Sequence, residues 1–264
     1  MSGATRLAAK STITVGEGPH SVAITNNGDR VYVTNFHGGT VSVIDPARAE
    51  EIAHVPISKG LYGIALDPAS EVIFVTDTRE SKIMSIDRAP FSVSDQQSTH
   101  VRPYGLGASP VGGEVYIAAG QDNSIVVSDR FNMIRGKIST VDFPVGLAVS
   151  PDGSRIYASN YFGASISVLD ASKVHGFSDP SLDALISKID VPRAPYGVAA
   201  SPDGKRLYVA HFPFDTVSVV DLHGHERIGS IDVPDGPRGV AVTPDGNQLY
   251  VTSFFADRVS VVAL

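Results

Sequence analysis

The side chains of this chain best suited to chemistry are two histidines, His20 and His211, with Tyr196, Asp77, Arg79 and Arg238 as polar companions. An imidazole titrates near neutrality, which makes either histidine a natural general acid or base, with the Tyr196 hydroxyl placed to orient a carbonyl. Arg238 and Arg79 are donors able to anchor a carboxylate, and Asp77 adds a negative charge. Each also has a bland role, as a satisfied imidazole, a packing aromatic or a surface ion pair. Cysteine chemistry is excluded, because the chain has no Cys, and disulfides, thiolate nucleophiles and iron–sulfur clusters all require it. No phosphate-cradling Gly-rich loop, His-Glu-x-x-His pair or Gly-x-Ser-x-Gly elbow occurs.

What brings these residues together is a phrase that the chain repeats six times. Its x-Gly-Val-Ala opening falls at Ser21, Gly63, Gly105, Gly146, Gly197 and Gly239, in steps of 42, 42, 41, 51 and 42 residues. Each copy holds β-branched strands such as VYVTN (31–35) and VSVID (41–45), bounded by turn residues. Tight hairpins are expected at Asn27-Gly28, Pro68-Ala69, Gly112-Gly113, Pro151-Asp152-Gly153, Pro202-Asp203-Gly204 and Pro244-Asp245-Gly246. No copy carries apolar residues at the helical period over ten residues, so helical repeats are excluded. The spacing predicts an all-β, six-bladed β-propeller of four-stranded antiparallel blades. It forms one domain over 1–264, with blades starting near 17, 59, 101, 142, 192 and 235. The sixth copy stops one strand short, at 259–264, and residues 6–15 are expected to complete it as the outer strand, closing the ring. The extra residues of the fourth copy, 172–184, lengthen a rim loop.

Aligning the copies gives the residues at one mouth of the ring. Leading into the innermost strands are His20, Tyr62, Tyr104, Val145, Tyr196 and Arg238. Between the second and third strands come Asn35, Asp77, Ala119, Asn160, His211 and Ser253, then Phe36, Thr78, Gly120, Tyr161, Phe212 and Phe254, then His37, Arg79, Gln121, Phe162, Pro213 and Phe255. Strand interiors vary little while these positions differ in every copy, the layout of a rigid scaffold bearing a functional face. His211 replaces the loop-capping amide of Asn35 and Asn160, and His20 is expected to face it across the funnel. The expected substrate contacts are Arg238, Tyr62, Tyr104, Asp77, Arg79, Phe36, His37, Asn160, Tyr161, Phe212 and Phe254. The run His223-Gly224-His225-Glu226 falls at the opposite face and reads as a solvated turn rather than a metal site.

The phrases Tyr32-Val33-Thr34-Asn35 with Val41 to Asp45, and Tyr208-Val209-Ala210-His211 with Val217 to Asp221, resemble YVTN-family β-propeller repeats, a family related to NHL and virginiamycin B lyase-like propellers. The resemblance spans nearly the whole chain and implies the propeller fold, while its members include enzymes, binding modules and surface-layer proteins. Lactonase-type six-bladed propellers hold Ca²⁺ with Asn and carboxylate oxygens. By that likeness Asn35, Asp77, Asn160 and His211 are the positions to compare. Asp77 alone brings charge there, whereas Ca²⁺ takes about 6–8 oxygens, so no metal cofactor, Ca²⁺ or Mg²⁺, is expected.

Of 264 residues, 42% are hydrophobic and 19% charged, with a formal charge of −7 and no basic run. That balance argues against nucleic acid or an anionic membrane as partner. The N-terminus has no apolar signal core, and no apolar run matches a membrane span, so a cytoplasmic location is expected. The favoured expectation is an enzyme working on a largely apolar or aromatic metabolite by lyase, isomerase or cyclase chemistry without a redox cofactor. The alternatives are a non-catalytic ligand-binding propeller and a protein-interaction scaffold. The first two require a concave pocket, the last an exposed apolar rim.

Overall fold

The computed structural model describes residues 7–139, 142–174 and 184–264, and within them the chain forms twenty-four strands. The first strand, β1 (Leu7–Thr14), stands apart from the six repeats. Blade 1 is β2 (Pro19–Ile24), β3 (Val31–Asn35), β4 (Thr40–Asp45) and β5 (Glu50–Pro56). Blade 2 is β6 (Leu61–Leu66), β7 (Val72–Asp77), β8 (Lys82–Asp87) and β9 (Ser92–Ser98). Blade 3 is β10 (Leu106–Ala108), β11 (Glu114–Ala119), β12 (Ser124–Asp129) and β13 (Ile134–Ser139). Blade 4 is β14 (Pro144–Val149), β15 (Arg155–Asn160), β16 (Ser165–Asp170) and β17 (Leu185–Asp190). Blade 5 is β18 (Pro195–Ala200), β19 (Arg206–His211), β20 (Thr216–Asp221) and β21 (Glu226–Asp232). Blade 6 is β22 (Pro237–Val242), β23 (Gln248–Ser253) and β24 (Arg258–Ala263).

Each blade is antiparallel in chain order, and β1 pairs antiparallel with β24 from Ala9↔Val262 to Thr14↔Arg258, completing the sixth blade. The start of β1 also pairs parallel with β21 through Leu7↔Ile231 and Ala8↔Asp232. The latch therefore joins blades 5 and 6 into one eight-stranded sheet. Arg6 and the loop residues 175–183 lie outside the described residues. The ends of that loop, Val174 and Ala184, are buried in the blade 3–blade 4 core.

Side chains alternate across each blade, so both faces of a blade pack on a neighbour. Tyr32 and Val43 of blade 1 meet Ile73, Val75, Met84 and Ile86 of blade 2, and the same arrangement recurs around the ring. In blades 2 to 6 the inner strands approach so closely that the repeat glycine is required, whereas blade 1 carries Ser21 there. A Cβ at Gly239 would lie 2.7 Å from the His20 carbonyl oxygen, and one at Gly63 2.8 Å from that of Tyr104. In five blades the first hairpin closes by a backbone bond, as from Gly153 N to Ser150 O (2.9 Å). Blade 3 departs from this, since Gly112 N donates to the Ser109 side chain instead and neither Gly112 nor Gly113 has positive φ.

Candidate functional site

At the ring mouth the innermost strands slip register around the residues that lead into them. Shifts fall between Pro19 and Ser21, Leu61 and Ile64, Pro144 and Gly146, Pro195 and Val198, and Pro237 and Val240. Such a bulge re-aims a side chain, and here it spans His20, Tyr62, Val145, Tyr196 and Arg238. In blades 1, 2, 4 and 6 a hydroxyl on the second strand pins the bulge, while blades 3 and 5 carry Ala118 and Ala210 at that position. Thr252 Oγ1 accepts from Gly239 N (2.7 Å) and donates to the His20 carbonyl (3.0 Å) of the next blade. Thr34 serves Ser21 N (3.0 Å) and the Tyr62 carbonyl (2.8 Å), Thr76 serves Gly63 N and the Tyr104 carbonyl, and Ser159 serves Gly146 N and the Tyr196 carbonyl. The third residue of the Tyr-Val-Thr-Asn phrase is thus the clamp between blades.

The aimed side chains form a closed circuit of rings. His20 lies 3.6 Å from Tyr62 between centroids. The path continues through Tyr104 (5.2 Å), Phe143 (5.4 Å), Tyr161 (6.5 Å), Tyr196 (5.4 Å), Phe212 (5.6 Å) and Phe254 (6.3 Å), and returns to His20 at 6.1 Å. Phe36, His37, Phe162 and Phe255 pack on this circuit from outside. Phe143 was not among the expected residues. It fills the space left by Val145 and by Gly120, where an added Cβ would meet its ring at 2.8 Å. The sequence signal was the pairing of a side-chain-free loop with an aromatic two residues before a small mouth residue.

Arg238 completes the plug, with its guanidinium carbon 3.5 Å from the Phe254 centroid, 4.4 Å from Phe212 and 5.2 Å from Tyr196. It is half-buried, its Nε has no hydrogen-bond partner, and no carboxylate pairs with it among the described residues. Burial lowers its pKa from the ordinary guanidinium value, against the raising effect of nearby Tyr196, Tyr62 and Tyr161. Burial, then Arg238 and His37, hold His20 well below the usual imidazole range, so it is neutral, and its Nε2 is buried without a partner. Burial likewise pushes the Tyr62 phenol well above its ordinary value. Beneath the plug the channel encloses about 60 Å³, walled by residues such as Val22, Ile64, Leu147 and Val240. Small-molecule pockets measure ~300–1,000 Å³, several times the space enclosed here.

The second set of expected residues turns away from the mouth and into the blades. His211 is fully buried; Nδ1 donates to the Arg193 carbonyl (3.2 Å) and Nε2 accepts from the Ser218 hydroxyl (2.9 Å). Burial depresses its pKa to about 4, so both nitrogens of a neutral ring are committed and His211 does not face His20. It repeats the role of Asn35, whose Nδ2 donates to Thr40 and Ser42, and of Asn160, which donates to Ser165 and Ser167. Asp77 is buried and accepts from Ser58, Arg79 N (2.8 Å) and Glu80 N (2.9 Å), closing its own loop. Arg79 is exposed and lies 5.2 Å over Phe36. Asn35 and Asn160 each leave a buried Oδ1 unpartnered, but in blades 1 and 4 across the ring, so these positions share no metal-binding point. Among the described residues no group of three or more His, Asp or Glu side chains is placed to hold a metal. His223 and His225 are exposed in the β20–β21 loop.

The fold and its plugged mouth define a six-bladed β-propeller whose distinctive face is aromatic. The chain belongs to the YNCE-like beta-propeller family, whose model matches residues 4–264. Among curated proteins none matches the chain in sequence. Its structure is similar to that of Kuenenia stuttgartiensis hydrazine synthase, at 18% identity and a TM-score of 0.74 over 100% of this chain and 99% of that one. It is also similar to the beta-propeller domain of Myceliophteria thermophila Cps50 (Swd1), at 12% identity and a TM-score of 0.71 over 97% and 99%. Both likenesses are of fold. Among the described residues no helix is long and apolar enough to cross a membrane.

Proposed function

We propose that this protein is a recognition propeller, whose aromatic face binds a protein partner that presents an acidic side chain to Arg238. The observation that carries the reading is a half-buried guanidinium with no carboxylate paired to it among the described residues, walled by Phe254, Phe212 and Tyr196. A carboxylate arriving there gains a charge-assisted bond at a site the fold has already desolvated. Phe162 and Phe255, 73% and 70% exposed, stand on the rim as apolar anchors, while the space enclosed below is several times smaller than a small-molecule pocket. On this reading the YVTN-type phrases describe the scaffold, and the function resides in the mouth residues. The test is binding of short peptides that carry one Glu beside an aromatic residue, against the same peptides with Gln, measured by fluorescence anisotropy. Preference for Glu, abolished in Arg238→Gln, supports the proposal; equal binding of Glu and Gln peptides refutes it.

One observation favours a second reading, the lyase, isomerase or cyclase. The buried Nε2 of neutral His20 lacks a partner and lies beside Tyr62 and Arg238, a set able to accept and return a proton if a substrate parts the plug. Turnover of an aromatic carboxylate that vanishes in a folded His20→Asn variant would favour the enzyme over the scaffold.

A further inference from the structure

One face of blade 2 departs from the row its sister blades share, and it opens onto a groove of about 810 Å³ between blades 2 and 3, at the ring end opposite the aromatic mouth. Register gives the cause. A row crosses each blade from the second strand to the fourth, reading Tyr32–Val43–Ala53 in blade 1, Tyr116–Val127–Gly136 in blade 3, Tyr157–Val168–Ser187 in blade 4 and Tyr208–Val219–Gly229 in blade 5. In blade 2 the row is Phe74–Ser85–Asp95. The phenol is lost, a packing valine becomes a small hydroxyl residue, and a small neutral residue becomes a carboxylate.

The ring of hairpin turns also parts at this place. A Cβ at Gly28 would lie 3.6 Å from Pro244 of the preceding blade, at Gly204 3.9 Å from Pro151, and at Gly246 4.0 Å from Pro202, and Gly153 rests on Val111. In blade 3 the neighbours of Gly112 and Gly113 are Glu114, Ser109 and Arg130 of blade 3 itself, not the turn of blade 2. The blade 3 turn leans on blade 4, and its far side is left open.

The groove has its own chemistry. Asp45, Asp129, Asp170 and Asp221 end third strands and each accepts a loop amide. Asp87, at the same position in blade 2, is half-buried and pairs through its backbone with Val72 and Ser92, but its carboxylate has no hydrogen bond or ion pair among the described residues, while the adjacent Arg88 is drawn off to Asp29 of blade 1. Asp95 gives one oxygen to Asn132 Nδ2 (3.1 Å), which also holds Ser85 (2.9 Å) and ties the blade 3 loop to this face. Four carboxylates, Asp67, Asp87, Asp95 and Glu114, line the groove against one guanidinium, Arg130, which lies 4.7 Å over Phe131. The floor is half-buried Val72, with Phe74 buried beneath it, and the lips are exposed Val111 and Phe131.

We propose that this groove binds a small organic cation with an apolar body, an aromatic amine, its ammonium on Asp87 and Asp95 and its ring against Val72 and the lips Val111 and Phe131. The volume lies within the ~300–1,000 Å³ of small-molecule pockets, and the excess of carboxylates selects a positive ligand. The site is separate from the aromatic mouth and does not rest on the function proposed for it. The test is calorimetric titration of the full chain with 2-phenylethylamine, 2-phenylethanol and 3-phenylpropionate. The amine should bind at least about tenfold more tightly than the alcohol, since hydrogen bonds to charged groups are the strong ones, and the carboxylate should not bind. Asp87→Asn should weaken the amine about tenfold, and Ala69→Lys, at the exposed lip, should compete with it to a similar extent by placing an ammonium in the groove. Arg238→Gln should change nothing. Absence of amine binding, equal affinity for amine and alcohol, or amine affinity unchanged in a folded Asp87→Asn or Ala69→Lys variant overturns the proposal.

Discussion

The guanidinium of Arg238 rests 3.5 Å above the Phe254 ring, with two further aromatic rings around it and no carboxylate paired to it among the described residues. A desolvated cation is costly to a fold unless it is paired, and π faces return only part of that cost. Arg238→Met, similar in length and apolar, is therefore expected to stabilise the protein. A gain of about 1 kcal/mol would raise the melting temperature by ~2–4 °C for a domain of this size. The same variant should lose its preference for acidic peptides. Calorimetry and anisotropy on one preparation check both, and a lowered melting temperature would show that the cation is part of the packing rather than held for a partner.

The hydroxyl clamps make a second prediction. Thr252→Val keeps the shape of the side chain but removes the acceptor for Gly239 N and the donor to the His20 carbonyl. A buried group left unsatisfied costs ~1–3 kcal/mol, so Thr252→Val should unfold at distinctly lower denaturant while Thr252→Ser stays near wild type. Because this clamp joins the last blade to the first, the loss should appear as earlier opening of that seam in hydrogen exchange. Equal stability of the Val and Ser variants would count against the clamp.

The ring was legible because six copies in phase repeat the same burial pattern, and the missing strand of the sixth copy pointed to β1. The parallel pairing of β1 with β21 was not, since nothing in the spacing says where a strand ends against its second neighbour. The mouth was legible in part. His20, Tyr62, Tyr104, Tyr196 and Arg238 were placed by their position before the inner strands, and the structure brings them together. His211 and Asp77 were grouped with them because loop-end positions look alike in sequence, whereas the pleat turns those side chains inward to bond their own blades. One residue of alternation separates a mouth residue from a buried cap. The groove between blades 2 and 3 was hidden for the opposite reason, because it comes from cross-strand rows whose members lie about ten residues apart in the chain.

Buried imidazoles make the fold sensitive to acid in a definite window. His211 has a folded pKa of about 4 and an ordinary value of 6.5, so between these the unfolded chain binds a proton that the folded chain refuses. Stability then rises with pH across the window and is lost on acidification, by about 3 kcal/mol for this group once pH falls below 4. His20 acts in the same direction. His211→Asn, the residue of the sister blades, should keep the cap and flatten denaturation midpoints between pH 6.5 and 4. Carboxylates held low, such as Asp152 at about 2, lose their contribution only at more acid pH and leave this window clear. A variant as acid-sensitive as wild type would remove His211 as the cause.

The latch strand is tested by taking it away. With residues 1–14 deleted, β24 loses its partner from Ala9 to Thr14, and β21 loses the pairing with Leu7 and Ala8. Two strand edges then face solvent, and exposed edges recruit strands from other molecules. The deletion should melt well below the full chain and associate in a concentration-dependent way, seen by sedimentation velocity. A synthetic peptide of residues 6–15 added in trans should restore a monomer and raise the melting temperature with peptide concentration, as mass action requires for a ligand that binds only the folded state. Peptide carrying proline at Ile13, inside the paired segment, should fail, because proline there removes a ladder donor and does not fit a paired strand. A deleted chain that stays monomeric and as stable as the full chain would mean that the ring is held by the blade-to-blade cores alone.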